Sequence, residues 1–283
     1  MTAAPVLPGP LVSTVWLAAH LGHPRLVVLD ASWYLPAAGR DPRAEYLSAH
    51  VPGACWCDID RLSDQASPLP HMLPSSSELA TAFGALGVGD HDAVVVYDGS
   101  GANLSAARVW WMLRQLGHDA VAVLDGGMGK WRAEARPVEA GEARRARVVF
   151  TAAPHADWVL SRDDVARNVA EPRVQLVDAR AADRYHGRVP EPRPGLRSGH
   201  VPGARNVPYQ DLVAADGTLL PPDQLEARLA AAGVQPDRPV AAYCGSGVSA
   251  CAVLLALEVL GRRGELLYDG SWTEWGAEGA ERP

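Results

Sequence analysis

The chain alternates short, continuous apolar runs with longer stretches of helical periodicity. Residues 26–30, 93–97, 120–124 and 239–243 are runs of four or five residues rich in valine, leucine and alanine. Apolar runs of that length without a polar alternation predict strands buried on both faces. Between and after them, residues 104–115 and 250–260 carry enough apolar positions over enough turns to predict packed helices. Strands alternating with helices predict an α/β fold with mainly parallel sheets and helices on both faces.

The pattern occurs twice. His50-Val51-Pro52-Gly53-Ala54 returns as His200-Val201-Pro202-Gly203-Ala204, and the run ending in Asp30-Ala31 returns before Asp178-Ala179. Val94-Val95-Val96-Tyr97 returns as Val240-Ala241-Ala242-Tyr243, and Leu124-Asp125-Gly126-Gly127 as Tyr268-Asp269-Gly270-Ser271. Four matches in the same order, at nearly constant displacement, indicate two copies of one domain rather than a short-period solenoid. A chain of 283 residues also exceeds the usual size of a single core. The predicted organisation is a domain over 1–135, a polar linker over 136–158 with Pro137 and Pro154, and a second domain over 159–283.

Composition narrows the function classes. A net charge of −7 gives no general attraction to nucleic acid or to an anionic membrane, so neither is an expected partner. The apolar run after residue 250 is interrupted at Glu258 and is too short for a bilayer span. No Lys or Arg precedes Arg25, so no secretory leader is expected, and four cysteines are too few for a disulfide framework. The expected location is the reducing cytoplasm.

One cysteine stands apart. Cys244 ends the run at 239–243 and opens Cys244-Gly245-Ser246-Gly247-Val248-Ser249, directly before a helix. Backbone N–H groups and the positive end of the helix dipole favour an anion there, and a thiolate is such an anion. Cysteine phosphatases share the strand–Cys–loop–helix order but need an arginine six positions after the cysteine, where this chain has Ala250. With no cation in the loop, a phosphate dianion is poorly served, whereas a persulfide on Cys244 itself suits an uncharged cradle. The position matching Cys244 in the first copy is Asp98, which predicts one catalytic and one structural half.

Together these motifs, with Val109-Trp110-Trp111 and Asp269-Gly270-Ser271-Trp272, resemble the tandem rhodanese family of sulfurtransferases over nearly the whole chain. The Cys244–Ser249 loop is similar to that of the 3-mercaptopyruvate branch, which usually ends in Thr rather than Ser. Thiosulfate enzymes carry Arg and Lys after the cysteine, where Gly245 and Ser246 stand here. The stretch from Asp183 to Arg193 resembles the branch's substrate segment, which implies that Arg184 and Arg193 bind the carboxylate and keto oxygen of an α-keto acid. The resemblance further implies that Asp60 and His71 couple with Ser246 and Cys244 in a proton relay. Gly245, Gly247, Val248 and Ser249 are then expected to line the substrate cradle. The implied activity moves sulfane sulfur from 3-mercaptopyruvate, a small-molecule donor, through a Cys244 persulfide to cyanide or a thiol acceptor such as thioredoxin. No cofactor or metal is expected. A thiosulfate sulfurtransferase, or a persulfide carrier without a small donor of its own, are the alternatives.

Several other residues are expected to be structural. Among the arginines around the segment, Arg180 and Arg188 are not expected as ligands, and Arg197 is left open. His50 and His200 belong to the repeated motif. Cys55, Cys57 and Cys251 are expected in the core, since Cys55-Trp56-Cys57 lacks zinc-ligand spacing and any second pair. Gly99-Ser100-Gly101 lacks the lysine of a phosphate loop. Trp272 and Trp275 fit either the core or the rim of the active loop.

Overall fold

A computed structural model describes residues 2–277; residues 278–283, the end of the expected second domain, lie outside the described residues. The chain forms two compact units. The first runs to Asp64, resumes over Pro74–His155 and is completed by Ala214–Leu219. The second takes Gln65–Leu73, Ala156–Val213 and the chain from Leu220 onward. Each unit therefore includes a short segment from the opposite half of the sequence.

The first unit contains, in order, β1 (Leu11–Val12), α1 (Thr14–His20), β2 (Leu26–Asp30), α2 (Pro42–Ser48) and β3 (Cys55–Trp56). It continues with α3 (Ser76–Ala85), β4 (Ala93–Tyr97), α4 (Leu104–Gln115), β5 (Val121–Leu124) and α5 (Gly127–Ala133). The second unit contains β6 (Val159–Leu160), α6 (Arg162–Ala170), β7 (Gln175–Asp178), α7 (Ala182–Tyr185) and β8 (Arg205–Asn206). After these come α8 (Pro222–Ala231), β9 (Val240–Tyr243), α9 (Ala250–Val259), β10 (Leu266–Tyr268) and α10 (Ser271–Trp275). Both sheets have five strands, ordered β1-β5-β4-β2-β3 and β6-β10-β9-β7-β8, so the second repeats the first strand for strand. All the strand pairings in both sheets are parallel.

The apolar runs explain the layering. Along β2, β4 and β5, Val28, Val95, Tyr97, Ala122 and Leu124 pack with Leu17 of α1 and Trp131 of α5 in one core cluster. The alternating residues Val27, Leu29, Val94, Val96 and Val123 are fully buried as well. Since successive strand residues point to opposite faces, both faces of this sheet are covered. Each such side chain contributes roughly 1.5–3 kcal/mol on burial. The helix following residue 250 is longer than its most apolar part: it starts at Ala250, and every residue from Ala250 to Leu257 is buried. Among the described residues no helix is long and apolar enough to cross a membrane.

Repeated residues do repeated work. The Tyr97 and Tyr243 hydroxyls each accept an N–H bond, from Val51 and Val201 respectively, both at 3.1 Å. His50 Nδ1 lies 2.9 Å from the Tyr46 carbonyl and its ring stacks on Tyr46; His200 does the same with Tyr185. The two motif histidines thus hold the turns entering β3 and β8. The polar segment after α5 is pinned along the first unit. His50 and Glu139 exchange backbone bonds at 2.8 and 2.9 Å, and Val148 and Ala153 donate to Gly84 and Leu116. The first unit accordingly reaches His155.

Candidate active site

The strand β9 delivers Cys244 at its C-terminal end, and α9 starts six residues later. Cys244 is 2% exposed, and Gly245 and Ser246 are buried beside it. The loop is shaped from below by α10. Ser271, at φ 51°, accepts the Cys244 and Gly247 amides on its Oγ at 3.1 and 3.0 Å and donates that hydroxyl to the Tyr268 carbonyl at 2.9 Å. The Trp272 and Thr273 amides donate to the Cys244 and Gly245 carbonyls, both at 2.9 Å. With these carbonyls tied down, the loop's remaining amides are free for another acceptor. Among the described residues no protein acceptor takes the N–H groups of Gly245, Ser246, Val248 or Ser249. That is an anion nest made of backbone alone, with Gly247 supplying the left-handed turn at φ 76°.

The first unit supplies a comparison. In the equivalent loop the Asp98 carboxylate accepts from the amides of Ser100 and Ala106 at 2.8 and 2.9 Å and from the Ser100 hydroxyl. The non-thiol copy fills its own nest with a fixed anion, whereas the Cys244 loop has no carboxylate at that position.

Two arginines approach the open nest. A Cβ on Gly245 would lie 3.2 Å from Arg184 Nη2 and 3.6 Å from Arg193 Nη1, so both guanidinium groups stand beside this loop residue. Arg184 sits on the short helix α7 and is anchored by Glu191, whose side chain is 1% exposed and also pairs with Arg180. Arg180 in turn is fully buried against Asp178. The order Asp178–Arg180–Glu191–Arg184 is a network that fixes the guanidinium beside Gly245 from behind. Arg188 pairs with Asp183 at the surface, and Arg197 lies over the Trp272 ring, whose Nε1–H donates to the Arg197 carbonyl at 2.9 Å. Trp272 and Trp275 are both core residues.

His71 reaches the loop from the segment Gln65–Leu73. Its Nδ1 lies 2.8 Å from Ser246 Oγ, and it is buried and left-handed at φ 61°. Asp60 lies in the first unit, where its carboxylate accepts from Trp33 Nε1 at 3.1 Å. Three contributors carried no role in the sequence reading. Glu191 and Ser271 were both part of recognised motifs, so their motif membership was the available signal. Tyr209 follows the second His-Val-Pro-Gly-Ala motif with no signal of its own. Burial raises its phenol pKa, a nearby Cys244 charge adds to the rise, and Arg184 opposes it.

The other cysteines are packed. Burial pushes the Cys55 and Cys57 thiols up, Cys57 far beyond the usual range, and Cys251 donates to the Gly247 carbonyl at 3.3 Å. The buried network carries its own stability prediction. Asp178→Asn keeps the shape but leaves Arg180 compensated by Glu191 alone, and should cost about 1–3 kcal/mol. Urea unfolding of the full chain checks this; Asp30→Asn, at the counterpart position, where the carboxylate accepts the Ser32 amide rather than holding an arginine, should cost less.

Comparison with known proteins identifies the family. The rhodanese-like domain family matches residues 13–134 and 161–278. The chain is 43% identical to 3-mercaptopyruvate sulfurtransferase of Rattus norvegicus, covering 96% of this chain and 94% of the relative. It is 42% identical to thiosulfate sulfurtransferase of Bos taurus, covering 94% and 91% of the two chains. The crystal structure of a 3-mercaptopyruvate sulfotransferase from Escherichia coli superposes with a TM-score of 0.85 at 41% identity, covering 93% of this chain and 99% of that one. With two copies of the domain, one bearing Cys244 and one Asp98, this chain belongs to the rhodanese-like family.

Proposed function

We propose that the chain is a sulfurtransferase that takes sulfur from 3-mercaptopyruvate through a Cys244 persulfide and releases pyruvate. The observation that carries this reading is the approach of Arg184 and Arg193 to Gly245, beside a nest with no cation of its own. Two guanidinium forks suit a carboxylate with an adjacent keto oxygen, and the backbone nest suits a small anion on the sulfur. The similarity to the rat enzyme points the same way.

In the proposed reaction the Cys244 thiolate attacks the substrate sulfur, forming an S–S bond as the C–S bond breaks. The electron pair goes to carbon and gives the enolate of pyruvate, whose charge Arg184 and Arg193 stabilise as it develops. The proton released from the substrate thiol ends on that carbon, passed through Ser246 and His71, with Asp60 assigned as third member on the family resemblance alone. The persulfide rests against the amides of Gly245, Ser246, Val248 and Ser249. Cyanide or a thiol then attacks the outer sulfur and regenerates the Cys244 thiolate, a ping-pong cycle with a covalent intermediate. The thiol acceptor is assigned as a small dithiol protein of the thioredoxin type, and the compartment as a reducing cytoplasm.

A thiosulfate donor is the second reading, favoured by the 42% identity to the bovine thiosulfate enzyme. Parallel assays of thiocyanate formation with the two donors separate them. The expected result is a kcat/KM for 3-mercaptopyruvate at least about tenfold above that for thiosulfate, a difference of about 1.4 kcal/mol in transition-state binding. Equal or better use of thiosulfate removes the α-keto acid assignment.

A further inference from the structure

The short segments that complete the two units are fastened in the same way. In the second unit the Leu73 amide donates to Asp269 Oδ2 at 2.7 Å; in the first, the Leu219 amide donates to Asp125 Oδ1 at 2.8 Å. Asp269 directly follows β10 and Asp125 directly follows β5, the topologically equivalent strands. Two residues before each fastened leucine, the backbone turns left-handed, at φ 61° for His71 and φ 79° for Gly217.

The two turns differ in what they carry. Gly217 has no side chain, its carbonyl accepts from Asn103 Nδ2 at 3.2 Å, and a Cβ there would stand 3.0 Å from the Gly101 carbonyl oxygen. Glycine is the unstrained choice. In the second unit the same turn holds a histidine, a strained choice for a left-handed L-residue. The strained residue is the one whose Nδ1 lies 2.8 Å from Ser246 in the Cys244 loop. Strain of this kind persists where the surroundings impose it, and here the imposing contact is a 2%-exposed carboxylate on the backbone two residues on.

We propose that Asp269 is a positioning residue for sulfur transfer: its clip on the Leu73 amide holds His71 left-handed, with the imidazole on Ser246. The inference rests on the reading above, in which His71 moves a proton. In the unit without a thiol, the Asp125 clip fastens only a glycine turn, so the device is structural there and becomes functional where histidine replaces glycine.

The test is a double-mutant cycle on the full chain, assayed with 3-mercaptopyruvate and cyanide. Asp269→Ala should lower kcat about tenfold or more with KM little changed. On the His71→Ala background the same substitution should have no further effect, because it acts through the imidazole. Asp269→Asn keeps an oxygen for the Leu73 amide without the charge, and should lose only about threefold, since charge-assisted bonds are roughly twice as strong as neutral ones. Should Asp269→Ala not fold, the cycle is run with Asn, and its threefold loss must vanish without His71. Asp125→Ala serves as the counterpart: it should lower the unfolding midpoint and leave kcat unchanged. Multiplicative losses in the double variant, or an equal kcat loss in Asp125→Ala, overturn the proposal. So does an unchanged kcat in Asp269→Ala whose Leu73 amide exchanges faster. Wild-type turnover tests the parent reading by itself: a chain inactive with 3-mercaptopyruvate overturns that reading and this inference together, whereas an active chain with a non-converging cycle overturns the inference alone.

Discussion

Cys244→Ser will reduce thiocyanate formation from every donor by at least about a thousandfold, because on the proposed mechanism Cys244 carries the transferred sulfur. The substitution exchanges sulfur for oxygen at a buried position and leaves the loop's scaffold in place. That scaffold is made by backbone groups: the Cys244 amide on Ser271 and the Cys244 carbonyl under Trp272. A drop in turnover with an unchanged unfolding midpoint is therefore the expected pair of results. Intact mass spectrometry adds a second reading. The wild-type chain incubated with donor and no acceptor should gain the mass of one sulfur atom, and the variant none. Transfer surviving in the serine variant would move the nucleophile to another thiol. Cys55 and Cys57 are poor substitutes, since burial raises both thiols, and Cys251 is tied to a loop carbonyl.

The two copies differ in a way that bears on the proposed chemistry. Both have the strand, the loop and the following helix, and in the first copy loop and helix amides converge on one carboxylate. The first copy satisfies them permanently with Asp98. A fixed carboxylate removes the cost of unpaired buried amides. Cys244 carries no such carboxylate, so on the proposed mechanism the loop amides are available to a persulfide.

Much of this was legible in the sequence because it was written twice. The repeat predicts the parallel sheets and the contrast of Cys244 with Asp98. The apolar runs of β2 and β4 announced burial on both faces. What escaped the reading depends on the third dimension. The segment 65–73 looks like part of the first half by position, yet it belongs to the second unit, because its leucine amide is claimed by Asp269. The stretch 136–158 looks like a linker because it is polar. Its backbone is nevertheless bonded to the first unit through His50, Gly84 and Leu116, and polarity says nothing about where main-chain groups find partners. Glu191 was hidden among arginines: spacing cannot tell which of Arg180, Arg184 or Arg188 a neighbouring carboxylate will hold. The structure shows it between the first two.

That ordering decides which arginine gives the clean test of donor choice. Removing Arg184 would leave the 1%-exposed Glu191 paired with Arg180 alone, so a loss of activity would mix catalysis with repacking. Arg193 also comes close to Gly245 and is the second probe. Arg193→Ala should lower kcat/KM for 3-mercaptopyruvate by about 100- to 1000-fold, the scale of losing one preorganised donor to a developing oxyanion. Thiosulfate presents no keto oxygen and forms no enolate, so its turnover should fall by about tenfold or less, from lost attraction to a dianion. Arg193→Lys should restore charge without the planar fork, and so recover thiosulfate use more than 3-mercaptopyruvate use. An equal loss with both donors would mean that Arg193 contributes only a general positive field. The α-keto acid selectivity would then have to come from Arg184 or from the half-buried Tyr209 beside it, whose phenol feels both Arg184 and Cys244.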